Sequence, residues 1–113
     1  MHEMSLCEGI LDILEAEAEK QQFSRVKKLW LEIGDLAFVE IDALKFCYDM
    51  VVKNTVAHDS ELVIEQIAAV AECQACSASM PVKTKYDACI TCGSYELEVT
   101  EGDQMKIKEV EVE

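Results

Sequence analysis

The chain has 113 residues, enough for one modest hydrophobic core and a small extra module but too few for two full-sized domains. Half of the residues are apolar, and no apolar run approaches the roughly 20 residues that a membrane-spanning helix requires. The net charge of −13, from 23 acidic and 10 basic residues, would repel a phosphate backbone and argues against nucleic acid as a partner.

The N-terminal segment lacks the features of a secretory signal. No cationic stretch opens it, and acidic residues such as Asp12, Glu15 and Glu17 interrupt its apolar positions. The sequence therefore predicts a cytoplasmic protein that does not enter a membrane. Six cysteines in such a chain indicate metal or redox chemistry before disulfides, because the cytosol keeps thiols reduced.

The first part of the chain alternates between helical and strand periodicity. Apolar residues recur at helical spacing between Met4 and Glu19 and again between Ile41 and Val51, which predicts two amphipathic helices. Between them, residues 26–33 alternate apolar and polar side chains, which predicts a strand. Residues 61–67 follow the same alternation and predict a second strand.

Two C-x-x-C pairs, Cys73/Cys76 and Cys89/Cys92, come next and are separated by twelve residues. Each pair can turn two sulfur atoms toward one point, and the segment between them is long enough to fold back as a hairpin. The spacing predicts a structural zinc site with four thiolate ligands and no position left for water or substrate. Iron in a rubredoxin-like site is the alternative that the ligands alone leave open.

The closing stretch alternates again but changes phase, with Met105 and Ile107 on one parity and Val110 and Val112 on the other. A β-bulge near residues 108–109 would keep all four on the core side. The sequence thus predicts an α+β fold, with two helices on a small sheet of about three strands and an inserted zinc-ribbon module. The predicted domains are residues 1–68 with 101–113, and residues 69–100 for the ribbon.

The N-terminus offers a second kind of metal site. The α-amine of Met1, the amide nitrogen of His2 and the His2 imidazole can close two fused chelate rings around one ion. A fourth donor, such as the amide nitrogen of Glu3, completes the square-planar set that Ni(II) and Cu(II) favour. The alternative is a histidine that is merely solvated near a chain end.

Short motifs along the whole chain then point to a family. They are Met1-His2-Glu3, Ser5-Leu6-Cys7, Trp30-Leu31-Glu32-Ile33-Gly34, Phe46-Cys47-Tyr48 and the two C-x-x-C pairs. Together they resemble the HypA/HybF hydrogenase maturation factors. The resemblance implies a nickel metallochaperone that binds Ni²⁺ through Met1, His2 and Glu3, the first and third by backbone nitrogen. It also implies structural Zn²⁺ held by Cys73, Cys76, Cys89 and Cys92.

The resemblance also implies partners. They are a GTPase that assists nickel insertion (HypB-like) and the large subunit of [NiFe]-hydrogenase, and some family members serve urease maturation proteins as well. We expect no enzymatic activity of its own and a monomer or weak homodimer. Some relatives carry extra histidines beside the zinc cysteines, whereas the only other histidine here is His58, so an axial nickel ligand stays open. The alternative function is a zinc-ribbon adaptor that binds protein and has no nickel site.

Overall fold

The computed structural model describes residues 2–113, which contain two α-helices, one short 3-10 helix (Asp35–Ala37) and six strands. The helices are α1 (Glu3–Gln21) and α2 (Ile41–Val51). The strands are β1 (Val26–Gly34), β2 (Glu61–Ile67), β3 (Val70–Cys73), β4 (Ser79–Pro81), β5 (Leu97–Glu101) and β6 (Met105–Val112). They form two three-stranded sheets, in the orders β2-β1-β6 and β4-β3-β5. The α+β prediction is confirmed, and both predicted helices are found.

The chain divides into two compact units. The helical unit contains the chain up to Leu31, Val39–Ile64 and Ile107–Glu113, and the ribbon unit contains Glu32–Phe38 and Glu65–Lys106. The predicted boundaries, residues 1–68 with 101–113 and residues 69–100, stay a prediction.

The helical unit is built around two helices that pack against each other. In α1, Cys7, Ile10 and Leu14 are buried at the spacing of one helix face, and in α2 the buried residues are Leu44 and Tyr48. The remaining core residues are apolar side chains of β1 and the following segments: Val26, Leu29, Leu31, Val52 and Ala57. This core contains no metal ligand, so its stability comes from apolar burial.

Two buried hydroxyl groups of the helical unit bond to each other. The Tyr48 hydroxyl and the Ser60 hydroxyl form a hydrogen bond of 2.7 Å, and both residues are buried. Each hydroxyl satisfies the other, which removes the cost of burying an unpaired polar group.

Strand β6 shows the predicted change of phase between Ile107 and Val110, but Val112 is exposed, so the prediction that all four apolar residues lie on the core side is wrong for that residue. Lys108 and Glu109 are exposed in succession, with the half-buried Ile107 and Val110 on either side. The bulge itself stays a prediction.

The ribbon unit has β3 at its centre, with β4 and β5 antiparallel on either side. Ala71 lies opposite Met80 on β4 and opposite Val99 on β5. One small buried cluster of this unit consists of Ala69, Ala71, Cys73, Met80, Val82 and Cys89. Two of these six residues are cysteines of the predicted metal site, so this cluster has little apolar burial apart from its metal ligands.

Candidate metal centre

The first cysteine pair lies on a tight turn at the end of β3. Cys73 is the last residue of that strand, and its carbonyl accepts a hydrogen bond of 2.8 Å from the N–H of Ser77. Its own N–H donates to the carbonyl of Ala78, also at 2.8 Å. Ser77 has a φ of +66°, the left-handed conformation that lets the chain reverse. The turn therefore holds Cys73 and Cys76 on one side of the backbone.

The second pair repeats this arrangement. The N–H of Gly93 donates to the carbonyl of Cys89 at 2.9 Å, and the N–H of Cys89 donates to the carbonyl of Ser94 at 2.7 Å. Gly93 has a φ of +79°, which explains why glycine follows the second C-x-x-C. Two differently placed segments thus form the same kind of loop around their cysteines.

The sulfur of Cys89 also accepts hydrogen bonds from the backbone. The N–H groups of Cys92 and Thr91 both lie 3.4 Å from its Sγ. These bonds, first that of Cys92 and then that of Thr91, lower the pKa of Cys89 to about 6. The loop therefore favours the thiolate of Cys89, the form that binds metal. Despite a backbone hydrogen bond to each sulfur, burial and sulfur–sulfur hydrogen bonds instead raise the pKa values of Cys76 and Cys92.

The four sulfur atoms are close enough to share one ion. All four lie within 4.8 Å of one another, and the Cys73–Cys92 and Cys76–Cys89 sulfur pairs are each 3.6 Å apart. A tetrahedral zinc with sulfur at about 2.3 Å requires sulfur–sulfur distances of about 3.8 Å. The cluster therefore fits structural zinc. Four protein sulfurs complete the coordination and leave no open position for catalysis.

A carboxylate that the sequence did not single out orders the loop before Cys89. Asp87 accepts hydrogen bonds from the N–H of Lys83 at 2.8 Å, the N–H of Thr84 at 3.3 Å and the Thr84 hydroxyl at 2.8 Å. These bonds, led by that from Lys83, lower the pKa of Asp87. A Thr-x-x-Asp spacing is the local signal that could have predicted this turn.

The N-terminal segment lies at the start of α1. Met1 is outside the described residues, so its part of the predicted nickel site stays a prediction. His2 is exposed, and its side chain makes no capping hydrogen bond to the helix. Its carbonyl accepts the first helical hydrogen bond, from Leu6 at 3.1 Å. The imidazole is therefore available to solvent and to an ion.

Glu3 connects this segment to the second helix. Its Oε2 accepts a hydrogen bond of 3.2 Å from the N–H of Glu40, the residue just before α2. Because the two residues are 37 positions apart, no local pattern could have predicted this contact. The bond brings the predicted nickel segment to the N-terminal end of α2.

The other cysteines and histidine lie elsewhere. Cys7 is fully buried in the core, and its thiol donates a hydrogen bond of 3.4 Å to the carbonyl of Leu44. Cys47 is half-buried on α2. His58 is exposed and lies 3.2 Å from a carboxylate oxygen of Asp59. Within residues 2–113, the four ribbon cysteines form the only group of three or more His, Cys, Asp or Glu donors close enough to hold one ion.

No helix in the part of the chain described here combines the length and the apolar character needed to cross a bilayer.

Comparison with known proteins identifies close relatives over the whole length. Residues 1–112 match the family described as "HypA: Hydrogenase/urease nickel incorporation, metallochaperone, hypA". The chain is 49% identical to the hydrogenase maturation factor HypA of Azotobacter chroococcum mcd 1, over 113 residues that cover 100% of both proteins. It is 50% identical to that of Bradyrhizobium sp. (strain ORS 278), with the same coverage.

Solved structures share the fold. The solution structure of the Ni metallochaperone HypA from Helicobacter pylori superposes with a TM-score of 0.76 at 23% identity, covering 99% of this chain and 97% of that one. A second solution structure, of HypA protein, has a TM-score of 0.77 at 24% identity and covers 99% and 96%.

Proposed function

The chain belongs to the HypA family of hydrogenase/urease nickel metallochaperones, and on this premise we propose that it carries Ni²⁺ at its own N-terminus and passes it to the large subunit of [NiFe]-hydrogenase. The observation that carries the proposal is the exposed imidazole of His2, which lies directly before α1 and makes no capping hydrogen bond to the helix. The family acts as a maturation factor rather than a catalyst, so the chain's task is to hold and release an ion.

The proposed ligands are the Met1 amine, the His2 amide nitrogen, the His2 imidazole and the Glu3 amide nitrogen. The first N–H groups of a helix have no intrahelical acceptor, so binding through the amides of His2 and Glu3 breaks no helical hydrogen bond. The partial positive charge at a helix N-terminus also favours the negative charge that an amide gains when it loses its proton. The start of α1 therefore suits a chelate of this type.

The charge of the cation itself needs compensation at the same place. Helix N-termini repel cations, and two helices begin here, because the Glu3–Glu40 bond brings the start of α1 to the start of α2. Both first turns carry an acidic residue, Glu3 in α1 and Asp42 in α2. These carboxylates offset the two helix dipoles and make the segment tolerant of Ni²⁺.

We propose that Cys73, Cys76, Cys89 and Cys92 hold the zinc and that this zinc is structural. Structural zinc in finger peptides contributes roughly 10–16 kcal/mol of apparent folding free energy near neutral pH. The buried cluster around the site has six residues, two of them ligands, so we expect the ribbon to depend on that contribution.

A change at the N-terminus alone separates a nickel carrier from a protein-binding adaptor. We expect two or three residues added before Met1 to abolish high-affinity Ni²⁺ binding, because the α-amine becomes an ordinary peptide nitrogen. His2→Ala should do the same by removing the imidazole. Nickel affinity measured by calorimetry, together with the absorption band of a square-planar site, gives the readout.

A tag after Glu113 is the matched control and should leave nickel affinity unchanged, because the opposite terminus contributes no ligand. Zinc content and the helical circular-dichroism signal should be equal in all of these proteins. Equal nickel affinity in the native and N-terminally extended proteins would exclude the amine chelate. Absence of nickel binding in the native protein would favour the adaptor function.

Delivery requires partners, and we propose a GTPase of the HypB type together with the hydrogenase large subunit. The chain's net charge of −13 suits a locally basic partner surface. Complex formation with the GTPase should therefore weaken as salt rises toward physiological ionic strength, where the Debye length falls to about 8 Å. Binding that does not change with salt would instead indicate an apolar interface.

A further inference from the structure

Strand β5 lies at the edge of the sheet in the ribbon unit. In the order β4-β3-β5 it has one neighbouring strand, β3, among the residues that the structure describes. The backbone groups along its other side can therefore pair with an added strand. Leu97 and Val99 are half-buried and alternate with the exposed Glu98 and Thr100, so β5 has one apolar face and one polar, acidic face.

A groove of about 390 Å³ borders the apolar face of β5. Its apolar lining consists of Leu36, Phe38, Leu97 and Val99, all of them in the ribbon unit. Phe38 is 74% exposed, and its φ of +56° is a left-handed conformation that a non-glycine residue adopts at a cost. The two charged residues of the lining, Lys85 and Asp103, have opposite signs. The groove therefore suits apolar side chains better than charged ones.

The other face of β5 carries two acidic residues side by side. Glu98 lies directly opposite Glu72 on β3, and both are exposed. Like charges at directly opposed positions of an antiparallel pair destabilise it. Among the ion pairs of residues 2–113, none involves either of them. A basic side chain next to Glu98 would offset this repulsion.

We propose that β5 binds an extended segment of a partner protein as an added strand, and that apolar residues alternate with Lys or Arg in this segment. The apolar side chains enter the groove beside Leu97 and Val99, and the basic side chains lie on the other face beside Glu98. Backbone hydrogen bonds along the edge of β5 provide affinity, and the alternation provides specificity. The surface belongs to the ribbon unit, whereas His2 and Glu3 of the proposed nickel site belong to the helical unit.

The charges argue against a second copy of β5 as the occupant. Two β5 strands side by side would bring Glu98 of one copy close to Glu98 or Glu101 of the other, and acidic residues on an edge strand disfavour such pairing. A helix is also a poor occupant, because its backbone groups are already bonded within the helix and leave the edge of β5 unpaired. An extended basic and apolar segment uses the edge, the groove and the acidic face together.

Binding of synthetic peptides to the zinc-loaded full chain tests the pattern without nickel. The probe is a capped peptide of alternating valine and lysine, and the control peptide groups the same residues into one valine block and one lysine block. Fluorescence anisotropy should give the alternating peptide at least about tenfold higher affinity, because only its pattern places valine and lysine on opposite faces. Equal affinities would overturn the proposal, since they would mean that the net charge of −13 alone attracts both peptides.

Substitutions in the chain test the surface. Phe38→Ser should weaken binding of the alternating peptide by about tenfold, and Glu98→Lys should weaken it as well, because each removes a contact of the added strand. The matched controls are Phe46→Ser, at a residue 67% exposed on α2, and Glu19→Lys, at an exposed residue of α1. Both controls should retain wild-type affinity, and controls that weaken binding as much as their counterparts would overturn the proposal. Zinc content and thermal unfolding verify that each variant folds.

Backbone methylation of the alternating peptide tests strand addition itself. The N–H groups of alternate residues in an extended strand point toward the same neighbour, so methylating all valine nitrogens or all lysine nitrogens blocks opposite edges of the peptide. One methylated peptide should lose at least about tenfold in affinity, and the other should retain it. Amide exchange in β5 should also slow when the unmethylated peptide binds. Equal affinity of the two methylated peptides would exclude pairing with the edge of β5.

Discussion

The N–H of Glu40 donates a hydrogen bond of 3.2 Å to the carboxylate of Glu3 and thereby joins the start of α2 to the start of α1. Glu40 itself provides no side-chain cap for α2, so the carboxylate of Glu3 performs that task from another helix. Glu3 thus accepts a hydrogen bond at the start of α2 and also lies next to His2 in the proposed nickel site. Its two roles can be separated, because one uses the side chain and the other the backbone.

We expect Glu3→Ala to lower the free energy of unfolding by about 0.5–1 kcal/mol, the usual cost of a lost helix cap. Nickel affinity should fall modestly but not be lost, because the proposed Glu3 ligand is a backbone nitrogen and only the compensating charge of the side chain is removed. Glu3→Gln keeps an oxygen acceptor and should lose less stability. Denaturant unfolding and nickel calorimetry on the same preparations measure both effects. Complete loss of nickel binding in a folded Glu3→Ala protein would mean that the carboxylate is itself a nickel ligand.

Removing one sulfur should affect zinc and the ribbon unit but not the helices. The wild-type chain should bind about one zinc ion, and Cys89→Ser should bind less, because four thiolates are needed to complete the site. Without the metal the ribbon unit should open more often, so its amide hydrogens should exchange faster. The helical signal should largely survive, since the helical unit has its own apolar core. Cys47→Ser is the matched control, as Cys47 lies on α2 and outside the cluster. Full zinc content in Cys89→Ser would remove that residue from the ligand set.

Two glycines should respond to alanine in opposite directions. A Cβ on Gly34 would lie 2.1 Å from the carbonyl carbon of Gly102, so Gly34→Ala forces two backbone segments of the ribbon unit apart. We expect a large loss of stability, on the order of several kcal/mol. Gly9 is exposed within α1, and a Cβ there would meet no atom within 4 Å, so Gly9→Ala should stabilise the protein by about 0.5–1 kcal/mol. Equal melting temperatures for Gly34→Ala and Gly9→Ala would contradict the close approach of Gly34 to Gly102.

Alkaline pH should destabilise the protein through Cys7. Burial, and then the nearby Cys47, Glu3 and Glu8, raise the pKa of this thiol from 9.0 to about 11. The unfolded state therefore releases the proton first, so the stabilising contribution is complete below pH 9 and is lost as the pH rises toward 11. The loss should be on the order of 2 kcal/mol. Cys7→Ala cannot ionise, so its unfolding free energy should fall less over the same range. Parallel pH profiles for the two proteins would show that another group is responsible.

The sequence alone determined the parts of this protein that depend on local spacing. Apolar residues at helical spacing predicted α1 and α2, and the two C-x-x-C pairs predicted the four-sulfur cluster, because a short loop fixes where both of its sulfurs point. The short strands β3, β4 and β5 were not predicted individually. They contain four, three and five residues, too few for a periodic signal to stand out.

Only the tertiary structure decided which residues distant in sequence meet. The Glu3–Glu40 bond and the close approach of Gly34 to Gly102 join segments separated by many residues, and neither leaves a signature in the local pattern. The physical reason is that periodicity describes one element at a time, whereas contact and burial depend on which other elements cover each of its faces.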